Sequence, residues 1–137
     1  LWKFIDTKFQ IKGGYEYTEY ANKETFLVVQ IETIEAVKAA NEIASVEGVD
    51  CLFIGTGDLG LRIKNFDFEL NLEESIKRVA KAAKEHNKVW GKPVNNVEDI
   101  KLIYSQGALL IPYGNDLLIL KNELEKMSNE IDSIINE

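Results

Sequence analysis

Glu32 and Asp58 are two carboxylates standing at the ends of two successive apolar runs, and Gln30 precedes the first of them by two positions. Two acids together with waters form the oxygen ligand set that Mg2+ or Mn2+ prefers, because a hard octahedral cation keeps several waters of its own. On an extended strand, residues two apart point to the same side, so Gln30 sets a neutral amide beside Glu32, suited to hydrogen bonding a ligand oxygen. The plainer alternative for each acid is a cap on the helix that follows its strand. Asp58 suits that role poorly, since the next helical pattern after it starts only near Leu72.

For this chemistry the two acids must share one edge of a sheet. Residues 26–31 and 49–54 are short, β-branched and apolar on both faces, as parallel strands buried under helices tend to be. Between them Thr33 is placed to cap a helix over residues 34–46. The three pieces make a βαβ unit, whose parallel strands bring both C-terminal ends, and with them Glu32 and Asp58, to the same edge. In α/β barrels and open α/β sheets alike, ligands bind at that edge.

The alternation continues along the chain. After a loop over residues 60–71, a helix is predicted over 72–87, with Leu72, Ile76, Val79, Ala80 and Ala83 on one face. Residues 89–94 read as a strand, Asn96 as the cap of a helix over 97–106, and Gly107 as its stop. A fourth strand is expected over 108–112, and a long terminal helix from Asp116 onward. Ahead of all this, residues 1–24 read as a connecting segment, with a break at Gly13-Gly14 and a short helix over 15–22. Four strands, each followed by a helix, give an α/β fold of parallel βα units, either an open sheet or half of a (β/α)8 barrel. The 137 residues fit a single domain. As four units of an eight-unit barrel, the domain would be partial. In the terminal helix Leu117, Leu120, Leu124, Met127, Ile131 and Ile134 repeat at spacings of three and four, a heptad seam. That stripe fits either an ordinary barrel helix with a broad buried face or a helix that packs on another subunit.

The formal net charge of −7 argues against electrostatic binding to nucleic acid or an anionic membrane, leaving cations and small molecules as partners. The single cysteine, Cys51, sits in a buried strand pattern without a partner, so a reducing, cytoplasmic setting is expected. No apolar run reaches transmembrane length. The first residue is Leu1 rather than methionine, from which the chain is expected to be a piece of something longer. Gly55-Thr56-Gly57-Asp58-Leu59-Gly60 matches the GxGxxG pattern of dinucleotide-binding folds, but the distant helix and the carboxylate within the motif both oppose a phosphate. His86, the only histidine, reads as a solvated residue at a helix C-terminus, on the wrong side of the βα unit for a strand-end site. Arg62 and Lys64 are within reach of an anionic substrate, although a surface role suits them better.

These residues resemble the HpcH/HpaI aldolase family, the class II pyruvate aldolases among the phosphoenolpyruvate/pyruvate-binding barrels. Residues 29–33, Val-Gln-Ile-Glu-Thr, look like the family's strand-five signature; residues 46–55 with Asp58-Leu59 look like strand six, and residues 105–108 like the approach to strand eight. The resemblance implies the C-terminal half of a (β/α)8 TIM barrel, holding strands five to eight. It implies that Glu32 and Asp58 ligate a divalent metal (Mg2+, Mn2+ or Co2+), that Gln30 contacts the pyruvate carbonyl side, and that the Gly57-Asp58 backbone meets its carboxylate. The implied reaction is aldol cleavage of a 4-hydroxy-2-oxo acid to pyruvate and an aldehyde, and its reverse. Thr56, Gly57 and Gly60 depart from the family's usual proline, alanine or serine, and serine. Strands one to four, which in the family bring a histidine base and a substrate-binding arginine, have no counterpart, so no catalytic residue is expected within this chain. The resemblance also implies a homo-oligomer that exchanges its eighth helices. A citrate lyase β-like lyase acting on a CoA thioester and a non-catalytic half-barrel serving ligand binding or oligomerisation stand as alternatives.

Overall fold

Three short parallel strands lie side by side in the order β1 (Val28–Ile31), β2 (Cys51–Ile54), β3 (Val89–Gly91). The computed structural model describes residues 15–66 and 68–135; residues 1–14 of the expected connecting segment lie outside the described residues. Its remainder forms helix α1 (Tyr15–Glu24). The first three expected strands are present, each shorter than its apolar run. The fourth, expected over 108–112, does not become a strand of the sheet: it touches β3 and its extension only through isolated parallel bridges, Gly91 to Leu110 and Val94 to Tyr113. The approach is close enough that a Cβ on Gly91 would run into the Leu110 carbonyl, so only glycine fits there.

The helices answer to their caps. Thr33 Oγ1 accepts from the Ala36 N–H at 3.1 Å and starts α2 (Ile34–Lys38). The single helix expected over 34–46 is in fact two, parted at Ala39, whose φ of −87° and ψ of 11° leave the helical region before α3 (Ala40–Ser45). At the interruption the Lys38 carbonyl accepts from the Arg78 guanidinium at 3.2 Å. Helix α4 (Thr56–Asn65) takes in the first half of the stretch expected to be loop, a correction that reaches the site below. Helix α5 (Leu72–Glu85) carries a full capping box: Asn71 Oδ1 accepts from the Glu74 N–H, and the Glu74 carboxylate accepts from the Asn71 N–H, each at 2.9 Å. Replacing Asn71 with Ala should cost about 1 kcal/mol of stability, read as a lower urea midpoint at unchanged slope. An unchanged midpoint would mean that the box contributes nothing. Helix α6 (Val97–Ser105) starts at the Asn96 cap and ends before Gly107 at φ +91°, both as expected.

The core lies between the sheet and these helices. Ile31, Leu52, Ile54, Val37, Val79 and Ala83 are fully buried there, and the expected apolar face of α5 is the one turned inward. Cys51 is buried and free; burial, and secondarily the Asp50 carboxylate, push its thiol pKa up, which keeps it a packing residue. His86 is less solvated than expected: half-buried, its Nε2 lies 2.9 Å from Asn41 Oδ1 and ties the end of α5 to α3.

Two surfaces are not covered. β1 is an edge strand, with Phe26 and Leu27 exposed just before it and the Leu27 N–H satisfied by Asp50 Oδ2 at 2.8 Å. The terminal helix α7 (Asp116–Ile135) has no buried residue at all. Within this chain α7 therefore does not bury its apolar stripe against the sheet. Among the described residues no helix is long and apolar enough to cross a membrane.

Candidate functional site

The parallel register sets Gln30 beside Phe53 and Ile31 beside Ile54, and the Gly55 N–H donates to the Ile31 carbonyl at 3.0 Å. Glu32 therefore stands level with Gly55 at the C-terminal edge of the sheet. Ile31, with no exposed surface, points into the core, so Gln30 and Glu32 face the other way, exposed and half-buried respectively. The two side chains meet: Gln30 Nε2 donates to Glu32 Oε2 at 2.6 Å.

Asp58 sits where the sequence reading did not place it. The chain turns at Gly55 directly into α4, putting Asp58 in that helix's first turn, exposed, rather than in a loop ahead of a distant helix. Leu59, fully buried, anchors the turn from beneath. Among the described residues no hydrogen bond or ion pair occupies the Asp58 carboxylate. The N–H groups of the first turn lack helical partners and carry the positive end of the helix dipole, while Asp58 puts a negative charge in that same turn. The glycine motif thus does open onto a helix. Helix distance is no ground against a phosphate here; the carboxylate of Asp58 in the same turn is.

The helix was missed because Gly57 and Gly60 each depress helix propensity by about 1 kcal/mol relative to Ala. The signal that could have found it is the apolar pair Leu59 and Ile63 at i, i+4, buried and partly buried respectively, with an acid in the first turn and Arg62 and Lys64 in the last. Those two cations lie at the far end of α4, away from Glu32. Arg62 instead lines a surface groove with Ile34, Glu35, Lys38, Phe66 and Phe68. The glycine departures from the family leave room for its usual residues: a Cβ on Gly57 would meet nothing within 4 Å, and one on Gly60 only Leu72 Cδ2 at 3.9 Å.

The donor set is all oxygen from the two acids. Among the described residues no group of three or more His, Cys, Asp or Glu converges, so a cation held by Glu32 and Asp58 would need water or substrate to complete its shell. The missing Cβ of Gly55 leaves the gap into which the Gln30 amide and the Glu32 carboxylate pack.

The family model for HpcH/HpaI aldolase/citrate lyase matches residues 4–122. The chain belongs to that family. A 5-keto-4-deoxy-D-glucarate aldolase of Shigella boydii is 27% identical over 116 residues, covering 83% of this chain and 45% of that protein. A hydroxypyruvate/pyruvate aldolase of Delftia acidovorans is 33% identical over 108 residues, covering 77% of this chain and 40% of that protein. The crystal structure of an HpcH/HpaI aldolase from Desulfitobacterium hafniense superposes with a TM-score of 0.77 at 24% identity, covering 93% of this chain and 51% of that one. This member of the family is thus an α/β chain of parallel βα units, half of a (β/α)8 barrel, and it spans about half the length of the relatives it matches. Enzymes of the family are generally dependent on a divalent metal.

Proposed function

We propose that this chain is the part of a class II pyruvate aldolase that carries strands five to eight, and that it holds the metal and pyruvate end of the site. The observation that carries the proposal is the pairing of Gln30 with Glu32 across Gly55, next to a helix start that bears an unoccupied carboxylate, Asp58. Glu32 and Asp58 would hold Mg2+, Mn2+ or Co2+. When bound, the cation supplies Lewis-acid stabilisation of the negative charge that develops on the 2-oxo group of a 4-hydroxy-2-oxo acid as its carbon-carbon bond breaks to pyruvate and an aldehyde. The free N–H groups at the start of α4 orient the substrate carboxylate, and the Gln30 amide keeps Glu32 in place beside it. The described residues at this edge include no group placed to act as the general base, which the family draws from strands one to four.

Calorimetric titration with Mn2+ tests the ligand assignment. Replacing Glu32 or Asp58 with Ala should remove metal binding, because one remaining acid cannot hold the ion against its own hydration. Equal affinity in the wild-type chain and both variants would refute the site.

The same proposal extends to the assembly. Nine large apolar side chains of α7, from Leu117 to Ile135, are each more than half exposed. A second copy of the chain, laying the same seam against its own, covers both at once and makes a homo-oligomer through the C-terminal helix.

A further inference from the structure

Most of the glycines that matter in this chain are explained by backbone angles: Gly48, Gly107 and Gly114 all have positive φ. Gly55 is not. Its φ of −78° and ψ of 79° are open to residues with side chains. What it lacks is space. A Cβ built on it would stand 2.8 Å from Gln30 Nε2, 2.9 Å from Glu32 Cβ and 2.9 Å from Glu32 Oε2.

We infer that Gly55 is a positioning residue for the Glu32 carboxylate: its bare Cα forms the floor of a seat in which the Gln30 amide clamps one carboxylate oxygen and leaves the other free for a cation. The inference rests on the metal reading above and assigns Gln30 a task within the protein before any substrate arrives. Of the three atoms that crowd position 55, the Gln30 amide is the far end of a flexible side chain and gives way at little cost. Glu32 Cβ does not, because it is one bond from the backbone of β1 and leaves only if the strand end moves with it. Metal ligands tolerate displacements of only about 0.2 Å, so even a modest shift there is felt by the ion. Gln30 Nε2 is the second constraint. A short hydrogen bond to Oε2 fixes which oxygen is engaged, and Oε1 has no protein partner among the described residues. Partners of this outer kind typically change metal affinity by about 10- to 100-fold when removed.

The test is a Mn2+ titration of the substrate-free chain, followed by the electron paramagnetic resonance signal of the free ion, for wild type, Glu32→Ala, Gly55→Ala and Gln30→Ala. Far-UV circular dichroism and thermal midpoints report whether each variant is folded. Both Gly55→Ala and Gln30→Ala should bind roughly tenfold or more weakly than wild type with native spectra. A folded Gly55→Ala chain at wild-type affinity overturns the inference, and so does Gln30→Ala at wild-type affinity, which would leave its amide a substrate contact only. If either result comes with a loss in Glu32→Ala, the metal site stands without the seat. Should Gly55→Ala fail to fold, Gln30→Ala decides alone, since it removes the clamp without adding bulk. No Mn2+ binding by wild type would overturn both the metal reading and the seat that depends on it.

Discussion

With four further βα units joined ahead of it, this chain should release pyruvate from a 4-hydroxy-2-oxo acid about 10² to 10⁴ times faster than it does alone. That range is the usual contribution of a positioned general base, the group that the described part of the site does not include. In the proposed function Glu32, Asp58 and the first turn of α4 hold a cation and orient a carboxylate, and none of them has the task of carrying the proton between the 4-hydroxyl group and solvent. The open edge of β1, with Phe26 and Leu27 exposed beside it, is where the added strands would pair. A coupled assay of pyruvate release, run with Mn2+ on both lengths of chain at matched concentration, checks the expectation. Equal turnover by the short chain would show that its own residues complete the site.

How much of this was legible in the sequence follows from the physics that each signal carries. Burial on both faces leaves a continuous apolar run, so β1 and β2 could be read directly, and the parallel pairing then set Glu32 at the ligand edge. Side-chain caps act over three residues, so Thr33 and Asn96 announced the starts of their helices. What could not be read depends on contacts between segments. The glycines around Asp58 hid α4, because local propensity counts against them while the burial of Leu59 and Ile63 that favours the helix is tertiary. The fourth strand was overcalled for the converse reason: an apolar run shows burial, but whether its backbone pairs depends on neighbouring strands, and here only two bridges to the β3 region form. The break at Ala39, with Arg78 donating to the Lys38 carbonyl from forty residues away, has no local signal. Nor has the seat at Gly55, since nothing in a GxG pattern says that an amide and a carboxylate from another strand occupy the space its side chain would fill.

Changing Leu124 and Ile131 together to Asp should convert the assembled protein to monomer, or to aggregate where the rest of the apolar surface takes over. Leu124 and Ile131 belong to the seam of α7, one heptad apart, and both are more than half exposed in the isolated chain. Full burial of a side chain of this size stabilises by about 1.5–3 kcal/mol, so the nine exposed apolar residues of α7 leave on the order of 10 kcal/mol unrealised until something covers them. The flanks and far side of the helix are built for water: Lys121 pairs with Glu125 and Lys126 with Glu123, both pairs exposed. One face is therefore sealed by charge and the other open to association, which is the pattern of a coiled-coil contact rather than of a helix meant for solvent on all sides. Two aspartates placed in the seam would have to be buried unpaired, at a cost of several kcal/mol, or the contact must open. Sedimentation velocity reads the outcome. A well-folded monomer before substitution would show that α7 serves no second copy. An unchanged oligomer after it would place the interface elsewhere, and the exposed edge of β1 would then be the surface to test.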